Sequence, residues 1–95
     1  MYVRVVRFTD ATRERVEGLI SMVEAADGPP EGVKSTRLNL LYDESQQTAI
    51  AMQYFETVED MEQGGKVFAA MDAGETPGTR VSIDMCEIKL EVSAP

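Results

Sequence analysis

Two segments near the middle of the chain carry the side chains best suited to binding chemistry. Alternate residues on paired strands share a face, so Arg37 and Asn39 on the first segment are expected to face the same way as Gln53 and Phe55 on the second. An arginine suits a carboxylate, a phenolate or an enolate, and a phenyl ring offers a stacking surface. The pattern predicts a small-molecule pocket bounded by these four residues, between the sheet and a second copy of the chain.

A purely structural role for the same polar groups remains open. Arg37, Asn39 and Gln53 could instead pair with acidic side chains across a dimer, or lie at a wet edge of the sheet. The single cysteine, Cys86, is expected to be a buried or interface thiol and not a nucleophile, because no histidine and no neighbouring basic residue would activate it.

Composition excludes several function classes. The chain has 95 residues, which predicts one domain over residues 1–95 with a modest core. Nine basic residues against 17 acidic ones give a net charge of −8, so binding to nucleic acid or to an anionic membrane is not expected. With no histidine, the chain cannot form a Ser-His-Asp triad, a histidine-ligated haem site or a His-containing zinc site.

No cofactor or metal motif is present in the sequence. No Asp-rich calcium loop occurs, and no apolar run approaches the roughly 20 residues of a membrane span. The first residues have the pattern of a strand containing Arg4 and Arg7, not that of a signal peptide. We therefore expect a cytoplasmic protein without a cofactor.

The periodicity of apolar residues predicts the order β-α-β-β-α-β. The first helix is expected to begin at Thr9 or Asp10 and the second after Thr57, with a glycine pair inside the second. Met71 lies on the apolar stripe of the second helix, and a loop follows it over residues 72–79. The strands are predicted over residues 2–8, 33–42, 47–55 and 80–92.

This order predicts a ferredoxin-like α+β fold, in which a four-stranded antiparallel sheet carries both helices on one face. Val3, Val5, Leu41 and Phe55 are expected on the opposite face, which a homodimer would bury. The last strand changes its apolar parity, so we expect a bulge near Cys86 and an end that docks on the partner. Strand parity assigns a bulkier set of residues to the helix side, namely Leu38, Leu40, Tyr42, Ile50, Met52 and Tyr54.

The glycine pair Gly64 and Gly65 costs roughly 1 kcal/mol per residue in a helix relative to alanine. Close packing of the helix on the sheet is the favoured explanation, and approach of the backbone to a ligand is the alternative.

Three segments resemble the antibiotic biosynthesis monooxygenase-like family of dimeric α+β barrels: residues 1–8, residues 32–34 followed by residues 38–41, and residues 51–61. The family's commonest local mark is an aromatic residue, an acidic residue and a helix N-cap in succession, matched here by Phe55, Glu56 and Thr57. The resemblance implies a homodimeric barrel. Haem-degrading relatives use a histidine on the second helix, and this chain has none. Cofactor-free oxygenases of the family have an asparagine where this chain has Ala51.

Two functions follow as expectations. The favoured one is a non-catalytic dimer that binds a small aromatic or polyketide-like molecule. The alternative is a cofactor-independent monooxygenase or isomerase acting on such a substrate, held by Arg37 and Gln53, since an electron-rich substrate could react with oxygen in a site that only stabilises its anion.

Overall fold

The computed structural model describes residues 1–70 and 76–95, and within them the chain forms an antiparallel sheet of four strands and two α-helices. The strand order across the sheet is β2-β3-β1-β4. This α+β arrangement is compatible with the predicted ferredoxin-like fold. Met71 and the first part of the predicted loop lie outside the described residues. In chain order the elements are β1 (Tyr2–Thr9), α1 (Arg13–Ala25), β2 (Arg37–Asp43), a 3-10 turn (Glu44–Gln46), β3 (Thr48–Phe55), α2 (Val58–Ala69) and β4 (Thr79–Glu87).

Both helices pack on the same side of the sheet, as predicted. Val16 of α1 lies in a buried cluster with Val6 and Phe8 of β1. In α2, a Cβ added at Gly64 would lie 2.8 Å from the ring of Phe55. We call this side the helix face and the other side the open face. The helix face carries Arg4, Val6, Phe8, Leu38, Leu40, Tyr42, Ala49, Ala51, Gln53, Phe55, Ile83 and Met85, and the open face carries Val3, Val5, Arg37, Asn39, Leu41, Thr48, Ile50, Met52 and Tyr54.

The helix N-termini follow local capping chemistry. Thr57 caps α2 as predicted, since its hydroxyl accepts a hydrogen bond from the Asp60 amide at 3.1 Å. The predicted cap of α1 is wrong: the cap is Thr12, and Asp10 instead adopts a left-handed conformation with φ 54°. The Ala11 amide donates to the Gln47 carbonyl at 2.8 Å, which ties the chain to the β2–β3 connection before the helix can begin.

Two strand boundaries also differ from the prediction. β2 begins at Arg37, because Val33 turns inward and is buried with Phe55 and Met61. β4 ends at Glu87, and the predicted bulge near Cys86 is wrong: the register shift between β1 and β4 lies at Arg7 and Phe8, towards the other end of β4. The change of apolar parity beyond Glu87 is therefore not accompanied by a bulge near Cys86.

Candidate functional site

The register between β2 and β3 separates the four residues that the sequence groups into one pocket. Arg37 lies opposite Tyr54 and Asn39 opposite Met52, whereas Gln53 lies opposite Leu38. Since residues paired across strands share a face, Arg37 and Asn39 are on the open face, and Gln53 and Phe55 are on the helix face. The prediction that these four residues share one face is wrong.

The conformation of the β2–β3 connection explains this outcome. Asp43 pairs with Thr48, so the connection between the strands has four residues. With this even number, each even-numbered residue of β2 lies opposite an odd-numbered residue of β3. The connection is a 3-10 turn whose last residue, Gln47, is left-handed with φ 47°. The predicted common face for Arg37, Asn39, Gln53 and Phe55 requires odd-numbered residues of β2 to oppose odd-numbered residues of β3. A slip that changes this parity exchanges the two faces of a strand.

On the open face, Arg37 and Asn39 line neither of the two best-formed cavities among the described residues. Arg37 is exposed, and its guanidinium carbon lies 5.6 Å from the centroid of the Tyr54 ring. A small depression of about 160 Å³ on this face is lined by Arg7, Leu41 and their neighbours, at the other end of β2. These two predicted site residues are therefore placed on a broad sheet surface.

Beneath the helices, Gln53 and Phe55 have different roles. The Phe55 side chain is fully buried against Gly64 and clusters with Val33 and Met61, so it is a core residue with no free surface for stacking. Gln53 is 7% exposed, and its Oε1 accepts a hydrogen bond from Arg4 Nη1 at 2.9 Å. Of the four predicted residues, Gln53 alone is hydrogen-bonded to a buried charged side chain.

The buried charged side chain is that of Arg4, which was not among the predicted site residues. It is 2% exposed, and its buried Nε has no hydrogen-bond partner among residues 1–70 and 76–95. Its guanidinium carbon lies 5.4 Å from the centroid of the Phe68 ring. Burial, and then the charge of Arg80, lower the pKa of Arg4, yet an arginine stays protonated in proteins.

Arg4 lacks an acidic partner within the described part of the chain. The ion pairs found there join Arg13 to Glu44 and Lys89 to Glu87. A buried cation satisfied by one neutral amide and one aromatic ring is incompletely compensated, because buried charges are ordinarily paired with an opposite charge. Arg4 therefore has both the charge and a free N–H group for an anionic ligand.

An open groove of about 370 Å³ between α2 and β4 reaches this arginine. Its walls are largely apolar, with Glu62 and Lys66 as the other charged residues that line it. Gly65 helps to open it, because a Cβ there would lie 3.4 Å from Arg4 Nε and 3.7 Å from the end of Met85. We call this the Arg4 groove. It is lined by Arg4, Glu62, Gly65, Lys66, Ala69, Ile83 and Met85.

The two glycines of α2 thus have separate explanations. Gly64 packs directly on Phe55, which agrees with the favoured expectation of close packing on the sheet. Gly65 borders the groove, and the alternative, in which the helix backbone lies near a ligand, stays a prediction for this residue.

No family model, curated protein or solved structure matches this chain. The resemblance to the antibiotic biosynthesis monooxygenase-like family therefore stays a prediction. Residues 1–70 and 76–95 contain no cluster of three His, Cys, Asp or Glu side chains able to hold a metal ion. None of the helices in those residues is long and apolar enough to cross a membrane. Cys86 is exposed at the end of β4, where the sequence predicted a buried or interface thiol.

One sequence signal could have revealed Arg4. It stands in the middle of the most apolar strand, between Val3 and Val5, and faces the layer that the helices cover. A charged residue at the centre of a sheet is rarely fully buried unless it is paired. From the sequence, Arg4 served only to distinguish the first strand from a signal peptide.

Proposed function

We propose that the protein binds a small anion with an apolar or aromatic body, such as an aromatic or polyketide-like carboxylate, phenolate or enolate, in the Arg4 groove. The observation that carries this proposal is the buried guanidinium whose Nε lacks a hydrogen-bond partner in the described part of the chain. An anionic oxygen on the ligand would accept that hydrogen bond and neutralise the charge. The ligand's apolar body would cover Ile83 and Met85.

The charges around the groove define the ligand further. Lys66 adds a second positive charge, while Glu62 disfavours a second negative charge nearby. A singly charged anion is thus favoured over a dianion. The site lies under α2 and not between the sheet and a dimer mate, where the sequence analysis placed it.

Binding can be tested with matched pairs of ligands and of variants. Naphthoate and its neutral amide would be titrated by calorimetry into the wild-type protein, Arg4→Met and Arg37→Met. We expect the carboxylate to bind wild type more tightly than the amide, and Arg4→Met to lose about 1.5–3 kcal/mol of that affinity, the scale of a hydrogen bond to a charged group. Arg37→Met removes the same charge from the open face and should bind normally. Equal loss in both variants would show a general charge effect and refute the proposed site.

The same guanidinium supports a second candidate function, a cofactor-independent monooxygenase or isomerase. An arginine that stabilises a phenolate raises the electron density available for reaction with oxygen. For a phenol with a free para position, one oxygen atom would become the new quinone carbonyl and the other would leave as water, so the substrate supplies all the electrons. Oxygen uptake with a panel of phenols and hydroquinones tests this: turnover lost in Arg4→Met and kept in Arg37→Met supports an enzyme, and binding without turnover supports a binding protein.

The proposed biological unit is a homodimer joined through the open face. That face is more apolar than the sequence predicted, because the register adds Ile50, Met52 and Tyr54 to it and moves Gln53 and Phe55 to the helix face. Leu41 is 48% exposed there. The single chain exposes 6394 Å², against roughly 5,400 Å² for a typical folded monomer of 10.5 kDa. A second copy would cover this excess.

A further inference from the structure

The pairing of β4 with β1 contains one extra residue near the start of β4. Ser82 lies opposite Arg7, but Arg80, and not Val81, lies opposite Phe8. Val81 is therefore the extra residue of a β-bulge, and it is 52% exposed. The bulge decides which side chains at this end of β4 lie on the helix face.

On the helix face, the bulge replaces an apolar residue by a charged one. In regular pairing Val81 would lie opposite Phe8 and Arg80 opposite Thr9, so Val81 would continue the apolar row of odd-numbered residues in β4. The register shift places Arg80 opposite Phe8 instead. Because paired residues share a face, Arg80 is on the helix face.

The Arg4 groove follows α2, which runs in the same direction as β1. Gly64 lies against Phe55, the partner of the first residue of β1, and the next residue, Gly65, lies against Arg4. Glu62 precedes both glycines and also lines the groove. It therefore marks the end of the groove nearest the start of β1.

Arg80 is exposed and lies beyond the opposite end of the groove. Its partner Phe8 follows Arg4 by four residues, which is roughly 13 Å along the strand at about 3.3 Å per residue. Burial, and then the nearby charge of Arg80, lower the pKa of Arg4. The ion pairs of the described residues do not include Arg80. The groove thus has a carboxylate at one end and a guanidinium past the other.

We infer that Arg80 is a second binding residue of the Arg4 groove, and that it selects an elongated ligand with an anion at one end and a neutral carbonyl or hydroxyl at the other. This inference rests on the proposed function, because Arg4 would hold the anion. Arg80 would donate hydrogen bonds to the neutral oxygen. A second carboxylate is disfavoured there, since it would lose more hydration and gain little from an exposed partner.

The charges along the groove also set the direction of the ligand. At the Glu62 end, the oxygen of a carbonyl would face a carboxylate, which repels it, whereas at the other end it would face a guanidinium. Lys66 adds positive charge along the groove, and Ile83 and Met85 form its apolar wall. A ligand with polar groups at both ends of an apolar body therefore binds in one direction.

Two ligands of matched shape test the role of Arg80. The first is a naphthoate with an acetyl group at the end of the ring system opposite to its carboxylate, and the second has an isopropenyl group there, which lacks only the oxygen. Both would be titrated by calorimetry into wild type, Arg80→Met and Arg80→Lys. We expect wild type to bind the acetyl compound at least about tenfold more tightly, the scale of a hydrogen bond to a charged group. The preference should vanish in Arg80→Met and return in part in Arg80→Lys.

Arg7→Met is the matched control, because Arg7 lies beside the same bulge but on the open face. It should keep the wild-type preference. A preference that is absent in wild type, or unchanged in Arg80→Met, would overturn the inference and leave naphthoate binding to Arg4 intact. If Arg4→Met binds both compounds as tightly as wild type, the proposed function and this inference are refuted together.

NMR of arginine side chains gives a second measurement on the wild-type protein. The Nε–H signal of Arg80, assigned by its loss in Arg80→Met, should shift more with the acetyl compound than with the isopropenyl compound. Equal shifts at saturation with both compounds would contradict a hydrogen bond from Arg80 to the neutral oxygen.

Discussion

Arg4 Nη1 donates a 2.9 Å hydrogen bond to Gln53 Oε1 across the β1–β3 pair, and both side chains are buried beneath α2. This contact gives a positive charge at the floor of a groove one neutral hydrogen-bond partner, and no other described residue accepts a hydrogen bond from Nε. The arrangement stabilises the arginine only partly, because a neutral amide offsets less of the desolvation of a cation than a carboxylate would.

The Arg4–Gln53 contact should show strong coupling in a double-mutant cycle. Gln53→Leu leaves the guanidinium with even less compensation, so we expect a loss of about 1–3 kcal/mol in the free energy of unfolding. Arg4→Met should change stability little or raise it, since it removes the buried charge. In the double variant, the cost of Gln53→Leu should largely disappear. Urea denaturation measures all four proteins, and strict additivity would contradict the contact's importance.

The adjacent glycines of α2, Gly64 and Gly65, allow the same substitution to be compared at two neighbouring positions. Alanine at Gly64 would clash with the Phe55 ring, so Gly64→Ala should destabilise the fold by about 1–3 kcal/mol. Alanine at Gly65 meets ordinary contacts and has the better helix propensity, so Gly65→Ala should preserve stability or raise it by up to about 1 kcal/mol. The same Gly65→Ala change should weaken naphthoate binding, because the new methyl group lies over Arg4 Nε. Equal stability effects from the two substitutions would contradict the packing described for α2.

Acid should weaken the β2–β3 connection through Asp43. Hydrogen bonds from the Ser45 hydroxyl and from Gln46 lower the pKa of the Asp43 carboxyl. Because its folded-state pKa lies below the unfolded value, its contribution to stability is present above the unfolded pKa and is lost as pH falls through the folded pKa. A ¹³C NMR titration should show Asp43 protonating at lower pH than a peptide containing residues 42–47. A normal titration midpoint would exclude this role.

The pKa of Glu44 is also lowered, because Arg13 donates a hydrogen bond to its carboxylate and carries the opposite charge. The free energy of unfolding should therefore fall less steeply with acid in Asp43→Asn than in wild type. Adding Glu44→Gln should reduce this dependence on pH further. Urea denaturation at neutral pH and at pH 3 measures each slope.

A charge on the open face should dissociate the proposed dimer. Leu41→Asp places a carboxylate in the centre of the proposed interface, so we expect a shift to monomer at micromolar concentration in sedimentation or light scattering. Ser21→Asp adds the same charge to an exposed position of α1 and should leave the dimer unchanged. Dissociation by Ser21→Asp but not by Leu41→Asp would place the interface elsewhere.

Incubation with haemin should leave the protein without bound haem. The chain has no histidine to act as the proximal ligand. After desalting, we expect no Soret band in the protein fraction, while a histidine-ligated haem protein on the same column retains one. Stoichiometric haem retention would overturn this prediction.

Several features of this protein are determined by sequence alone, because they depend on local chemistry. The change from a two-residue to a 3.6-residue apolar period marks where β3 gives way to α2, and Thr57 caps that helix through contacts within four residues. The order of strands and helices follows from the same signals, as does the placement of both helices on one side of the sheet.

The location of the candidate site was decided by tertiary structure. Which side chains share a face depends on whether an odd or an even number of residues joins β2 to β3, and that number follows from the left-handed Gln47 and the contact of its carbonyl with Ala11. The parity of the β2–β3 pairing separated Arg37 from Gln53, and the β1–β3 pairing placed Gln53 beside Arg4, 49 residues away in the chain. The sequence contains both residues, but only the pairing of β1 with β3 makes them neighbours and buries them. Burial leaves Arg4 as a charge with no acidic partner among the described residues.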